Sequence, residues 1–119
     1  GPVYSAGMLA EIGDVHRFSS QAALAKFAGL SWSRNQSGQF DSDHTPMIRS
    51  GNRFLRYYLV EAANKVRQHD PDYAAFYQSK LAEAKTTPRK RALVLTARKF
   101  VRLVYALLRD NKLYTPPSR

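Results

Sequence analysis

The part of the sequence with the greatest capacity for chemistry is a polar stretch from Leu30 to Arg49. It has no hydrophobic period, and it brings hydroxyl, carboxylate, imidazole and guanidinium groups close together. Gly29 and Gly51 flank it. A connection of about 20 residues with no secondary structure of its own is uncommon in a compact domain and usually has a function or is disordered. We therefore expect any chemistry of this chain to lie in this stretch.

A serine nucleophile acting on a phosphate group is the first chemistry that these residue types allow. Serine is a poor nucleophile at neutral pH, so it needs neighbouring cations that stabilise the charge of a phosphoryl transition state. Arg34 precedes Ser37, Gly38 would let a strand approach closely, and Arg49 and Arg53 follow where the chain re-enters a helix. From residue types alone, an ordinary turn serine explains Ser37 better. Three further serines compete with it equally: Ser31, Ser33 and Ser42.

A metal site is the second chemistry to consider. Asp41, Asp43 and His44 carry groups that can bind Mg²⁺, Mn²⁺ or Zn²⁺. Ligands this close together on one loop rarely make a closed site alone, so we assign no metal ligand in this chain. The competing hypothesis is a metal-dependent nuclease built on Asp41 and Asp43. In that case this chain would cut DNA by itself.

Helices must position this stretch, because apolar residues recur at spacings of three and four and strand signals are nearly absent. Caps and glycines divide the chain into about five helices. The predicted helices are Val3–Ile12 before Gly13, one from an N-cap at Ser19 or Ser20 to Gly29, one that follows Ser50-Gly51 and ends at His69-Asp70-Pro71, one opened by Asp70-Pro71, and one opened by Thr87-Pro88 that runs to about Asp110. The predicted fold is therefore all-α, with a long polar loop between helices two and three.

The fifth predicted helix separates apolar from basic residues. Its predicted core face consists of Leu93, Ala97, Phe100, Val104 and Leu107. Arginines fall on a different face, and they are Arg91, Arg98, Arg102 and Arg109. A solvated surface explains any one of them, but a stripe of four suits bidentate phosphate contacts and predicts phosphate binding. In the third predicted helix Arg53 and Arg56 also lie off the apolar stripe, and we assign them the same role.

Composition bounds the function. The 119 residues suffice for one domain, and 44% hydrophobic residues allow a core. The net charge of +10 predicts a polyanionic partner, of which nucleic acid is the commonest; acidic proteins, anionic lipid and plain solubility are the alternatives. Cysteine is absent and no apolar run could span a bilayer, so we expect a soluble, cytoplasmic protein without a membrane partner. The first residue is not methionine, so we expect a piece of a longer protein, with a domain at 1–114 and a flexible tail at 115–119.

An ordered set of short motifs resembles one protein family. The beginning of the chain, from Gly1-Pro2-Val3 to Arg17-Phe18, looks like the second half of a helix–hairpin–helix. The later motifs are Ala28-Gly29-Leu30, Gln36-Ser37-Gly38, Ile48-Arg49-Ser50-Gly51-Asn52, Leu55-Arg56, Ala62-Ala63, Ala97-Arg98-Lys99-Phe100 and Tyr114. Nearly the whole chain resembles the C-terminal serine domain of the insertion-sequence transposases that also carry an N-terminal RuvC-like DEDD domain, the bridge-RNA-guided recombinases.

The resemblance implies a DNA transposase or recombinase domain in which Ser37 attacks a DNA phosphodiester and becomes covalently attached to the strand. It implies DNA and guide RNA as partners, a homo-oligomer in the full-length enzyme, no cofactor in this chain, and Mg²⁺ in the missing DEDD domain. A non-catalytic helix–hairpin–helix-like binding module is the alternative. This chain departs from the family at Asp41, Asp43 and His44, where relatives often carry lysines, so its loop is expected to meet nucleic acid differently.

Overall fold

A computed structural model describes residues 2–32, 47–48 and 51–112 of the chain. Within this range the fold is all-α, as predicted. The helices are α1 (Pro2–Ile12), α2 (Gln21–Phe27), α3 (Arg53–His69), α4 (Pro71–Glu83) and α5 (Pro88–Arg109), with a 3-10 turn at Val15–Arg17. No helix in the described part of the chain is long and apolar enough to cross a membrane. That α1 is half of a helix–hairpin–helix stays a prediction, because one helix does not define the motif.

Local capping explains most helix boundaries. Gly13 ends α1 with a left-handed backbone at φ +66°. The Ser20 hydroxyl accepts a hydrogen bond from the backbone N–H of Ala23 at 3.1 Å, and thereby begins α2. The carboxylate of Asp70 accepts from the backbone N–H groups of Asp72 and Tyr73, and it begins α4 directly after α3 ends. These three predictions from sequence are confirmed.

The start of α5 differs from the prediction. Pro88 occupies the first turn as expected, but Thr87 makes no capping hydrogen bond with its side chain. The backbone of Thr87 is left-handed, at φ 40° and ψ 56°, whereas a capping residue normally has an extended backbone. Pro88 also disfavours the right-handed helical conformation of the residue before it. The Thr87-Pro88 pair therefore marks the start of the helix without capping it.

Helix α5 is the centre of the fold, since α2, α3 and α4 all pack against it. Ala97, Phe100 and Val104 are buried as predicted. Leu93 and Leu107 are only half-buried, whereas Thr96 and Val101 are completely buried. The reason is that α5 is covered on several sides, so its buried surface is wider than a single apolar stripe. The Thr96 hydroxyl is accommodated because it donates to the carbonyl of Ala92 at 2.7 Å.

The polar stretch is not free of secondary structure at its ends, and this corrects the prediction. Strand β1 (Ser31–Trp32) pairs antiparallel with β2 (Met47–Ile48), with Ser31 opposite Ile48 and Trp32 opposite Met47. The pairing was not predictable, because each strand is only two residues long. It holds the two ends of the stretch side by side. Residues 33–46 and 49–50 lie outside the described part of the structure.

Candidate nucleic-acid interface

Asn52 joins three helices at the point where the chain leaves the polar stretch. Its side-chain carbonyl accepts from the backbone N–H groups of Phe54 and Leu55, at 2.9 and 3.0 Å, and so caps α3. Its side-chain amide donates to the carboxylate of Glu11 on α1 at 2.6 Å. Its backbone N–H donates to the carbonyl of Phe27 on α2 at 2.6 Å. The start of α3 is therefore fixed to both α1 and α2.

Gly51 lies beside this junction and has no room for a side chain. Its backbone has φ +115°, a conformation that favours glycine. A Cβ atom there would lie 2.6 Å from the carbonyl oxygen of Phe27 and 2.9 Å from the backbone nitrogen of Gly29. The end of α2 and the start of α3 are thus in direct contact. Together with the β1–β2 pairing, this contact places both ends of the polar stretch at one location.

Two of the predicted phosphate-binding arginines lie on the first turns of α3, next to this junction. Arg53 is exposed, and its guanidinium carbon lies 5.3 Å from the ring centroid of Phe54. Arg56 is half-buried, and its Nη1 atom is buried with no hydrogen-bond partner among the residues that the structure describes. A buried N–H group without a partner is unfavourable by about 1–3 kcal/mol, and more when it belongs to a charged group. An anionic oxygen at this position would remove that penalty.

On α5, Arg98 and Arg102 are neighbours with different surroundings. Arg98 donates from Nη1 to the side-chain carbonyl of Gln21 on α2 at 2.6 Å. Burial, and after it the positive charge of Arg102, lowers the pKa of Arg98 below its ordinary value. Arg102 is exposed. The two charges are therefore close enough to repel each other, and a phosphate between or beside them would relieve the repulsion.

The remaining two arginines of the predicted stripe are less available. Arg109 is bound to Asp110, with Nε 3.0 Å from Oδ1. This hydrogen bond raises the pKa of Arg109 and lowers the pKa of Asp110. Arg91 is half-buried near the start of the helix. The four arginines thus do not act as one uniform surface. We use the name α5 arginine face for Arg98 and Arg102 only.

The predicted nucleophile and several of its companions cannot be placed in this geometry. Arg34, Ser37, Gly38 and Arg49 lie outside the described residues, and so do the acidic residues and the histidine of the alternative metal site. Their roles stay predictions. Within the residues that the structure does describe, no group of three His, Cys, Asp or Glu side chains could hold a metal ion.

Sequence reasoning missed two residues that position the site. Asn52 entered only through the family resemblance, although an Asn before an apolar helical period is an N-cap signal. No local sequence pattern marks Gln21 as a contact residue, because its partner Arg98 is 77 positions away. Two aromatic residues of α3 are exposed: Phe54 is 56% exposed and Tyr57 is 55% exposed.

Comparison with known proteins identifies relatives over the whole length of the chain. Residues 1–78 match the domain family described as Transposase IS116/IS110/IS902 family. The chain is 32% identical over 111 residues to the uncharacterized 43.6 kDa protein of insertion element IS110 from Streptomyces coelicolor, covering 92% of this chain and 26% of that protein. It is 31% identical over 117 residues to the uncharacterized 44.8 kDa protein of insertion element IS116 from Streptomyces clavuligerus, covering 98% and 28%. It is also 31% identical over 119 residues to the uncharacterized 42 kDa protein of insertion element IS900 from Mycobacterium paratuberculosis, covering 99% and 29%. The chain therefore spans between a quarter and a third of these relatives. No solved structure matches it.

Proposed function

Because this chain belongs to the Transposase IS116/IS110/IS902 family, we propose that it is the DNA-binding catalytic part of a transposase and that Ser37 is its nucleophile. In this proposal the polar loop delivers the serine, the arginines at the start of α3 bind the reacting phosphate, and the α5 arginine face holds nucleic acid nearby. The observation that carries the proposal is the buried Nη1 of Arg56, one turn from Asn52, which has no hydrogen-bond partner in the described part of the chain.

The junction supports the proposal because a nucleophile must be held close to the groups that stabilise its transition state. Asn52 and Gly51 fix the start of α3 against the end of α2. The loop therefore leaves and returns beside Arg53 and Arg56, whatever path it takes in between. In the proposal, the serine within it meets the phosphate bound at these arginines.

The proposed step is a transesterification. The Ser37 oxygen attacks phosphorus and loses its proton, while the bond from phosphorus to one deoxyribose oxygen breaks and that oxygen leaves as a hydroxyl. The products are a phosphoserine ester and a free strand end, so no water is consumed. Reversal of the same step by a different hydroxyl rejoins a strand. Arg53 and Arg56 would stabilise the additional negative charge on the non-bridging oxygens.

The α5 arginine face contributes binding rather than chemistry in this proposal. Arg98 is held by Gln21 at the beginning of α2, and the loop follows the end of that helix. A helix of seven residues is about 10 Å long, so the two regions are separate but close. One nucleic-acid backbone could contact both. Such contacts orient the strand and carry no sequence information.

Other parts of the longer transposase and its partners complete the proposed reaction. Among the residues that the structure describes, no group of three His, Cys, Asp or Glu side chains could hold a metal ion. Mg²⁺ in a separate DEDD domain, a guide RNA and assembly into a homo-oligomer are further parts of the proposal. They follow from the family resemblance and concern the longer protein.

The test is the Ser37→Ala variant of a full-length transposase that contains this chain. Strand cleavage should fall by roughly 10³-fold or more, because no other nucleophile replaces the missing oxygen. Binding to DNA should be unchanged, and the covalent protein–DNA adduct trapped with the unaltered enzyme should disappear. Peptide mapping of that adduct should identify the peptide that contains Ser37.

Ser42→Ala is the matched control, since it removes a hydroxyl from the same loop and should leave cleavage intact. Normal cleavage by the Ser37→Ala variant would refute the proposed nucleophile. Loss of DNA binding by that variant, with no adduct in the unaltered enzyme, would favour the non-catalytic binding module instead.

A further inference from the structure

A second cation-rich groove lies away from the loop junction, between α3, α4 and the first turns of α5. Polar side chains from all three helices line it. They are Asn64, Arg67, Tyr77, Gln78, Arg89 and Lys90. Three of these six are cations, and none of the described residues that line the groove is acidic. Its lining is therefore rich in hydrogen-bond donors and favours an anion.

Arg67 is held in place before any ligand arrives. Its Nε donates to the side-chain carbonyl of Asn64 at 2.9 Å, and its guanidinium carbon lies 4.1 Å from the ring centroid of Tyr77. A guanidinium group fixed by one hydrogen bond and one aromatic ring loses little freedom when it binds a phosphate. This arrangement is typical of a preorganised anion contact.

Arg89 and Lys90 lie where helix stability does not favour them. Both are in the first turn of α5, and that turn contains no acidic residue. The positive end of the helix dipole disfavours cations at this position. Both side chains are exposed, so packing does not explain them either. Both cations are therefore exposed where an anionic ligand in the groove would meet them.

The groove is separate from the α5 arginine face. Arg89 and Lys90 precede Arg98 by nine and eight positions, which corresponds to about 180° and 80° around an α-helix and about 12–14 Å along it. None of the groove residues belongs to the α5 arginine face or to the junction at Asn52. A ligand in the groove would therefore contact an earlier part of α5.

We propose that this groove binds backbone phosphates of a nucleic acid and forms a second contact surface of the domain. A polyanion fits better than a small anion because Arg89 and Lys90 are exposed, and exposed cations bind single anions weakly in salt. Neutralising several adjacent phosphates releases counterions and compensates for that weakness. The inference goes beyond the proposed function, since it involves neither Ser37 nor the arginines at the start of α3.

The test compares duplex binding by the unaltered chain with binding by the double variant Arg89→Gln/Lys90→Gln. The slope of log K against log salt should become shallower by up to about 2, because each lost phosphate contact removes about 0.9 from it. The matched control is Lys65→Gln/Lys112→Gln, which removes the same charge from exposed positions outside the groove. The control slope should stay close to that of the unaltered chain.

A second variant, Gln78→Glu, places a carboxylate in the groove at an exposed position and removes no hydrogen bond that holds Arg67. It should also weaken duplex binding, while the thermal midpoint of unfolding stays unchanged. In the unaltered chain, NMR signals of the Asn64 and Gln78 side-chain amides should shift with a short oligonucleotide at concentrations where inorganic phosphate has no effect.

Groove variants whose salt slopes equal that of the lysine control would overturn the inference. So would inorganic phosphate that binds the groove as tightly as the oligonucleotide does. Arg102→Gln separates this failure from failure of the proposed function. If Arg102→Gln weakens binding and the groove variants do not, nucleic-acid binding stands and the groove has no part in it.

Discussion

Arg98 and Arg102 show how neighbours decide what one residue type does. Both lie on α5, one turn apart. Arg98 donates a hydrogen bond to Gln21. Its burial, and after it the charge of Arg102, lowers the pKa of Arg98, as expected for a partly buried cation. Arg102 is exposed. Arg98 therefore contributes to packing as well as to charge.

Ionisation of Tyr73 should reduce the stability of the fold at alkaline pH. Burial, followed by the negative charge of Asp70, raises the pKa of Tyr73 from 10.0 to about 12. The folded state thus holds the phenol proton more tightly than the unfolded chain does. The stability that depends on this proton is complete below pH 10 and is lost as the pH rises towards 12.

The variant Tyr73→Phe should remove this alkaline loss. It keeps the ring, which packs edge-on against Phe100 at a centroid distance of 6.1 Å. Near neutral pH the variant should be about as stable as the unaltered chain. Between about pH 10 and 12 the free energy of unfolding of the unaltered chain should fall by on the order of 1 kcal/mol more than that of the variant, after allowance for solvent screening.

Urea unfolding at several alkaline pH values measures the difference, with Tyr57→Phe as an exposed-tyrosine control. Parallel pH profiles of Tyr73→Phe and the unaltered chain would contradict the assignment.

At the scale of elements, Asn52 both caps α3 and forms a tertiary contact with α1. Asn52→Ala removes the bonds to the N–H groups of Phe54 and Leu55 and the bond to Glu11. We expect a loss of about 1–3 kcal/mol in the free energy of unfolding. The shift in the midpoint of denaturant unfolding measures this loss, provided that the m-value is unchanged.

Asn52→Asp separates the two contributions. A carboxylate can still cap α3, but it cannot donate to Glu11 and it repels that side chain. Stability should therefore fall between those of the unaltered chain and Asn52→Ala. If Asn52→Asp were as stable as the unaltered chain, the bond to Glu11 would contribute nothing.

The helices could be predicted from sequence because their limits are local. Ser20, Asp70 and Gly13 act on backbone groups within a few positions, so short patterns contain the whole cause. Contacts between distant positions leave no such pattern. The bond from Asn52 to Glu11 spans 41 positions and the bond from Arg98 to Gln21 spans 77. The β1–β2 pairing was missed for the same reason, since each strand gains its partner only when the helices pack.

The candidate site was predictable in chemistry and less so in geometry. The positive charge of α3 and α5 is visible in the sequence. Tertiary contacts determine which arginines can bind a phosphate, as the contact of Gln21 with Arg98 shows. Arg109 is an exception, because its partner Asp110 is adjacent in sequence and the pairing could have been predicted. The assignment of Ser37 rests on the family resemblance, because several serines in the loop have similar surroundings in sequence.

At the scale of the whole molecule, the net charge of +10 is spread over more than one surface. The junction at α3, the α5 arginine face and the groove at the start of α5 each present cations. Contacts of this kind address phosphates and not base edges. The domain should therefore bind nucleic acid strongly but with little sequence preference of its own.

This prediction can be checked with duplexes of unrelated sequence. Their affinities for the unaltered chain should agree within about threefold and should weaken together as salt rises. Arg102→Gln should weaken all of them uniformly and reduce the salt slope by about 1. Lys65→Gln is the charge-matched control. A variant that changes the order of preference among sequences would show that Arg102 reads bases.

The short β1–β2 ladder holds Trp32 beside Met47, the two residues that flank the segment from 33 to 46. The free energy needed to close a loop rises only with the logarithm of its length, by about 0.6 kcal/mol for each doubling. Insertions, deletions and substitutions in this segment should therefore change the stability of the helical part of the fold only slightly. The same property makes it a suitable place to exchange the corresponding segment of a relative while the fold is kept.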